Sequence, residues 1–294
     1  MSRPIPKAFT ALLVAGALAC SGGQPAGDGN VAGPAPAEEK PTLLRLFVFD
    51  CGNLRIADPG PFSLTMDEVS TLELSVPCYL IEHGDGTLLW DVGLSDSLAE
   101  GSPHTQENGT VTTVTVTLRA QLEELGYQPA DITYLALSHL HYDHAGNAND
   151  FASSIWLVQR SEHEAAFGDA QDFAFDRALY SELESSETLL LDGDRDVFGD
   201  GAVVIKSAPG HTPGHQVLFV NLPKTGPLVL SGDLYHFPES RTLKRVPTFN
   251  FDEAETLASM DAVEDFLIES GARLWIEHDF AANALLDKAP AYYE

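Results

Sequence analysis

Apolar residues gather in this chain first in short, nearly continuous runs bounded by turn residues, and later in such runs alternating with segments of helical period. LLRLFVFD (Leu43–Asp50) is rich in bulky apolar residues and predicts a strand. LELSVPCYLIEH and GTLLWDVG flank the turn residues GDG and predict a hairpin. In TLRAQLEELGY, Leu118, Leu122 and Leu125 share one helical face, and Gly126 stands where a helix would stop. ITYLALS and IWLVQR predict two buried strands. A short helix, SEHEAAF, follows, with Ser161 at the N-cap and Glu164 at the capping-box position. AVVIKSAP, HQVLFVN and GPLVLSG predict three further strands. DEAETLASMDAVEDFLIESG restores the helical period through Leu257, Met260, Val263 and Leu267, with acids in its first turn. ARLWIEH predicts a last strand, and no internal repeat of fixed period is visible. Hairpins followed by alternating strands and helices predict an α/β protein with two sheets and outer helices.

The first forty residues break this pattern. A basic start with Arg3 and Lys7 leads into an uncharged, mostly apolar run from Ala8 to Ala19. That run is too short to span a bilayer and predicts a signal peptide over residues 1–20. Its end, ALAC, resembles the bacterial lipobox, although Ala17 holds the place usual for leucine and Leu18 follows it. The resemblance implies lipid attachment at Cys20 and an exported periplasmic or outer-membrane lipoprotein; plain secretion with ordinary cleavage is the alternative. Residues 21–40, rich in Gly, Pro and Ala, predict a flexible tether, and one folded domain is expected from 41 to 294.

The 294-residue chain has a formal net charge of -28. This excess belongs to the domain, because Arg3, Lys7 and Lys40 balance Asp28, Glu38 and Glu39 in the leader. Such a surface repels phosphate backbones and anionic lipid headgroups, so nucleic acid is excluded as a partner and membrane contact is expected only through the N-terminal anchor. Cys51 and Cys78 stand in separate predicted strands. In an oxidising compartment they could pair; the plainer reading of the sequence is two small buried apolar side chains.

Histidine concentrates where the apolar run of ITYLALS ends. SHLHYDH carries His139, His141, Asp143 and His144 within six positions. Imidazole and carboxylate are the ligands of zinc and similar divalent ions. Side chains at i and i+2 of an extended segment point the same way, so His139 and His141 can grip one ion while Asp143 and His144 reach a second. The remaining donors are expected from APGHTPGHQ (His211, His215), LSGDLYH (Asp233) and LWIEHD (His278). A carboxylate shared by two ions holds them at a spacing of roughly 3.5–4 Å.

SHLHYDH, HTPGHQ, SGDLYH and IEHD in this order resemble the metallo-β-lactamase superfamily, and within it the N-acyl homoserine lactonases. VPCYLIEHGDGTLLWDVG, FVFDCGNL and VPTFNFD are similar to that branch too. The resemblance implies a four-layered αβ/βα sandwich. It also implies two divalent metal ions per chain, zinc by default. His139, His141 and His215 would bind the first, Asp143, His144 and His278 the second, and Asp233 would bridge them. Asp91 matches a family aspartate that supports the ligands. His211 is expected either to hydrogen-bond beside the site or to shape the turn, and His83, His104 and His163 to lie on the surface.

Many lactonases place a tyrosine three residues after the bridging aspartate. Here that place holds His236, and Tyr235 comes one residue earlier. Either could donate a hydrogen bond to a developing oxyanion. The function implied is hydrolysis of lactone rings, above all N-acyl homoserine lactones, with Asp143 passing a proton to the departing oxygen. The alternatives are a β-lactamase or another ester or thioester hydrolase of the superfamily, and, outside catalysis, a tethered metal- or ligand-binding lipoprotein. Acyl-chain preference and oligomeric state have no signature in the sequence.

Overall fold

In the computed structural model, which describes residues 43–168 and 173–294, the first strand, β1 (Leu44–Arg55), sends successive side chains into two different cores. Leu44, Leu46 and Val48 enter one, and Phe47, Phe49 and Cys51 enter the other, as the alternation of an extended chain requires. A strand buried on both faces can be almost continuously apolar, which accounts for LLRLFVFD. β1 pairs antiparallel with β2 (Glu73–His83), and β2 with β3 (Gly86–Trp90) across the expected hairpin. With β4 (His104–Thr105), β5 (Val111–Thr113), β6 (Tyr134–Ala136), β7 (Ile155–Gln159) and β8 (Thr188–Leu191) they form an eight-stranded sheet ordered β4-β5-β1-β2-β3-β6-β7-β8. A second sheet takes β9 (Arg195–Asp196), β10 (Val203–Ser207), β11 (Gln216–Leu222), β12 (Gly226–Leu230) and β13 (Arg273–Trp275) in the order β13-β12-β11-β10-β9. The helices are α1 (Leu118–Glu124), α2 (Tyr142–Ala145), α3 (Arg160–Phe167), α4 (Pro238–Leu243), α5 (Glu253–Ser270) and α6 (Phe280–Asn283).

Three apolar clusters separate four layers. Leu46, Val48, Ile81 and Trp90 of the larger sheet meet Ile205, Leu218, Val220 and Leu230 of the smaller one. On the outer face of the larger sheet, Leu118 and Leu122 of α1 join Phe49, Leu80 and Leu89. On the outer face of the smaller sheet, Met260, Val263 and Leu267 of α5 join Val217 and Val229. The result is the αβ/βα sandwich, with the helical period of α5 facing the core as expected.

Cys51 and Cys78 form a disulfide, with Cα atoms 5.8 Å apart, which closes the alternative left open by the sequence. It ties β1 to β2 beside the irregularity between Asp50 and Asn53. Other expectations need correction. Ser161 is not an N-cap: α3 starts at Arg160, and the Ser161 hydroxyl donates to the Pro213 carbonyl at 2.8 Å, leaving Glu164 without a capping box. His83 is buried, its Nε2 3.0 Å from Asp200 Oδ2 and its ring stacked on Phe198. His163 is half-buried between Trp156 and Phe167, and only His104 of the three lies exposed. The signal peptide, Cys20 and the tether lie outside the described residues.

Candidate metal centre

The chain leaves the larger sheet after β6, and Leu137 to His141 run on before α2 begins at Tyr142. The second sheet contributes from β11 and β12: the turn at residues 210–215 precedes β11, and Asp233 comes three residues after β12 ends. His278 follows β13 in the same way. Groups at strand ends are held by the ladders behind them, which suits a site that depends on fixed donor positions.

His139 Nε2 and His141 Nδ1 stand 2.8 Å apart, and His211 Nε2 lies 3.1 Å from the former and 3.0 Å from the latter. Asp233 Oδ2 closes this group at 3.5 Å from His139 and 3.3 Å from His211. The third imidazole is therefore His211, not His215. His215 accepts the backbone N–H of Asp233 on Nε2 at 3.0 Å and donates from Nδ1 to the Ala208 carbonyl at 2.9 Å. Both its nitrogens are used, so no lone pair is free for an ion. Gly232, at φ +47°, permits this approach: a Cβ there would stand 2.8 Å from His215 Nε2 and 2.6 Å from Ser138 Cβ.

The second group is Asp143, His144 and His278. Asp233 Oδ1 lies 3.0 Å from His144 Nε2 and 2.9 Å from His278 Nε2, so its two oxygens face the two groups separately. Asp143 Oδ2 lies 4.0 Å from His144 Nε2 and 3.8 Å from His278 Nε2. His144 Nε2, His278 Nε2 and Asp233 Oδ1 are buried with no hydrogen-bond partner among the described residues. Three unpaired polar atoms turned on one point are costly unless a cation joins them, so the donor set fits a divalent ion.

The outward nitrogens are anchored. His144 Nδ1 lies 3.1 Å from Asp91 Oδ2, whose other oxygen accepts the Ser138 N–H at 2.6 Å. His278 Nδ1 donates to the Ser75 carbonyl at 2.7 Å, and His141 Nε2 to that of Phe173 at 3.1 Å. His211 Nδ1 donates to Asn250 Oδ1 at 2.9 Å, and the Asn250 amide is fixed in turn by Thr256 at 3.0 Å. Such partners set ring orientation and tautomer in metal sites. Asp91 thus stands behind a candidate ligand, the place its family position implied, and Asn250 of VPTFNFD stands behind another.

Burial pushes the His139 and His141 imidazoles well below their ordinary range, and His215 to about 3. Burial alone would also raise Asp233, but the surrounding imidazoles, His144 foremost, hold it well below the usual carboxylate range. His144 and His278 go upward: burial opposes their charge, but the carboxylates, led by Asp233, outweigh it. Glu277, buried beside Asp91, is pushed well above the usual range by desolvation and then by Asp91.

Tyr235 and His236 lie on opposite sides of an extended segment. The Tyr235 ring packs in the cluster beneath α5 and its hydroxyl donates to half-buried Glu264 Oε1 at 3.0 Å, so it does not face the donor groups as its proposed catalytic place requires. His236 Nε2 lies 3.0 Å from Asp233 Oδ2, and burial lowers the imidazole to about 4. One residue escaped the sequence altogether. Glu162 on α3 is buried and accepts from Leu140 N at 3.1 Å, Thr212 Oγ1 at 3.0 Å and Gly214 N at 2.8 Å. Burial raises its carboxyl to about 7 against those bonds. A cavity of about 900 Å³ opens above the two groups, walled by Phe62, Phe173, Phe249, Phe251, Leu54 and Ile56.

The metallo-beta-lactamase superfamily profile matches residues 71–269. N-acyl homoserine lactonase AttM of Azorhizobium caulinodans is 30% identical over 267 residues, 86% of this chain and 100% of the relative. An N-acyl homoserine lactonase of a Bacillus species is 29% identical, over 81% of this chain and 94% of its own. Among solved structures, an N-acyl homoserine lactone hydrolase with N-hexanoyl-L-homoserine at its catalytic metal centre superposes with a TM-score of 0.73. It is 26% identical and covers 84% of this chain and 98% of its own.

Proposed function

This chain belongs to the metallo-beta-lactamase superfamily, in its N-acyl homoserine lactonase branch, and on that premise we propose that it opens the ring of N-acyl homoserine lactones. It is a metal-dependent hydrolase. The observation that carries the substrate reading is Asp233, whose two oxygens face two separate donor groups at the floor of a cavity with an aromatic wall. His139, His141 and His211 would hold one ion, Asp143, His144 and His278 the other, and Asp233 both. We propose zinc, because imidazole and carboxylate donors suit it. Bound there, the ions would lower the pKa of water towards neutrality and polarise a carbonyl.

The protein's own groups supply the rest. His236 turns Nε2 towards Asp233 and the cavity, where its N–H can bond the lactone carbonyl oxygen as charge develops. Asp143 lines the same cavity, and the carboxylate oxygen that would not hold the ion can carry a proton to the departing ring oxygen. The Phe62, Phe249 and Phe251 rings offer apolar surface to an acyl chain. Tyr235, bound to Glu264, takes no part. A β-lactamase reading is disfavoured by Asp233, a bridging aspartate those enzymes usually lack.

The test is hydrolysis by the metal-loaded protein, followed by pH-stat, of homoserine lactones with varied acyl chains and of a cephalosporin. Turnover of lactones alone supports the reading; turnover of the cephalosporin alone sinks it. We also propose export with lipid attachment at Cys20, a setting that suits the Cys51–Cys78 disulfide. Mass spectrometry of the mature N-terminus decides that point, and an unlipidated start refutes the anchor.

A further inference from the structure

Glu162 touches none of the candidate ligands, yet it bonds the backbone between two of them and the turn that bears a third. Leu140, whose N–H it accepts at 3.1 Å, separates His139 from His141. Thr212, bonded at 3.0 Å, follows His211, and Gly214, bonded at 2.8 Å, closes the same turn. The start of α3 presses on that turn directly. A Cβ at Gly214 would stand 2.5 Å from both the nitrogen and the Cβ of Glu162, and Ser161 holds Pro213 from the other side. The Asp143, His144 and His278 group has other anchors, namely Asp91 and the Ser75 carbonyl, and none of Glu162's three bonds reaches it.

We infer that Glu162 is a positioning residue for one ion only: by clamping the His139–His141 segment to the His211 turn it sets the hold on the first metal and leaves the second unaffected. The inference rests on the two-ion reading above. A carboxylate accepting three bonds can join two loops without a ligand's own geometry being involved, whereas an amide cannot replace it. In Glu162→Gln the carboxamide nitrogen would face either the Gly214 N–H or the Leu140 N–H, setting donor against donor. Loss of such outer partners typically weakens metal affinity on the order of 10–100-fold.

The experiment loads the full chain with zinc and follows release of each ion to a chromogenic chelator, with total metal measured by elemental analysis. In Glu162→Ala one ion should leave on the order of 10–100-fold faster while the other keeps the wild-type rate. Glu162→Gln should show the same asymmetry in weaker form, which keeps the test usable if the alanine variant folds poorly. Glu164→Gln, exposed on the same helix, should match wild type. Adding Asp91→Asn to Glu162→Ala should speed the second ion as well, since Asp91 Oδ2 faces His144 and Glu162 does not. Equal acceleration of both ions, or of neither, overturns the assignment of Glu162. Wild-type protein that binds fewer than two ions overturns the two-ion reading itself, and the inference with it.

Discussion

His215 receives the backbone N–H of Asp233 on Nε2 at 3.0 Å, and this contact divides the two histidines of GHTPGH into an anchor and a donor. His211→Ala should therefore cost the protein one of its ions and most of its turnover. His215→Ala should retain both ions at saturating metal but unfold more easily. It strands the Asp233 N–H and the Ala208 carbonyl in a buried site, and each unpaired group costs about 1–3 kcal/mol. Elemental analysis beside thermal melts separates the outcomes; metal loss confined to His215→Ala would restore the family-derived assignment.

That division shows what the sequence could and could not say. The i, i+2 spacing of His139 and His141 and the order of the motifs made two donor groups legible. Two histidines four residues apart in a Gly/Pro turn carry no periodicity, and only the fold of the turn decides which faces inward. Likewise α1 and α5 were visible because a helical stripe of leucines or of Met260, Val263 and Leu267 has a period. β4 and β9 span two residues each and have none. Glu162 was invisible for another reason: its work is done by accepting backbone N–H groups that lie far away in the chain, and any surface glutamate on a short helix reads the same.

Asp233→Ala should abolish most activity and lose at least one ion, because among the described residues no other carboxylate faces both groups. Without the shared carboxylate, a cation held by His139 with His211 and one held by His144 with His278 would repel each other with no negative charge between them. Chelation of the wild-type protein should give the same loss reversibly, with activity regained on adding zinc. Activity indifferent to a strong chelator would remove the metal from the reaction.

Reduction of Cys51–Cys78, or the double substitution to serine, should lower stability without moving a ligand. The bridged residues are 27 apart, and closing a loop of that length is worth about 3–4 kcal/mol in the chain-entropy account. Thermal melts with and without reductant measure it. The loop beyond β3 packs on the bridge, since a Cβ at Gly93 would meet Cys51 Cβ at 2.2 Å, so the metal content of the reduced protein should be checked in parallel. An unchanged melting temperature would mean that the bond contributes nothing to the folded protein.

His236 and Tyr235 offer the sharpest contrast, because they are neighbours in sequence and face opposite ways. His236 Nε2 stands 3.0 Å from Asp233 Oδ2 at the cavity floor, whereas the Tyr235 hydroxyl is bonded to Glu264 beneath α5. A donor that strengthens its bond only as the carbonyl oxygen becomes charged lowers kcat when removed and leaves KM nearly unchanged. Losing one such donor costs on the order of 10²–10³ in turnover. His236→Ala should show that loss with both ions retained. His236→Tyr, which restores the residue many lactonases carry at this place, should recover part of it. Tyr235→Phe should turn over at close to the wild-type rate and lose only the hydroxyl's bond to Glu264, about 0.5–1.5 kcal/mol of stability. If Tyr235→Phe proves the slow variant and His236→Ala the normal one, the segment must turn over in the working enzyme. If both are normal, no side chain from this strand end assists the carbonyl.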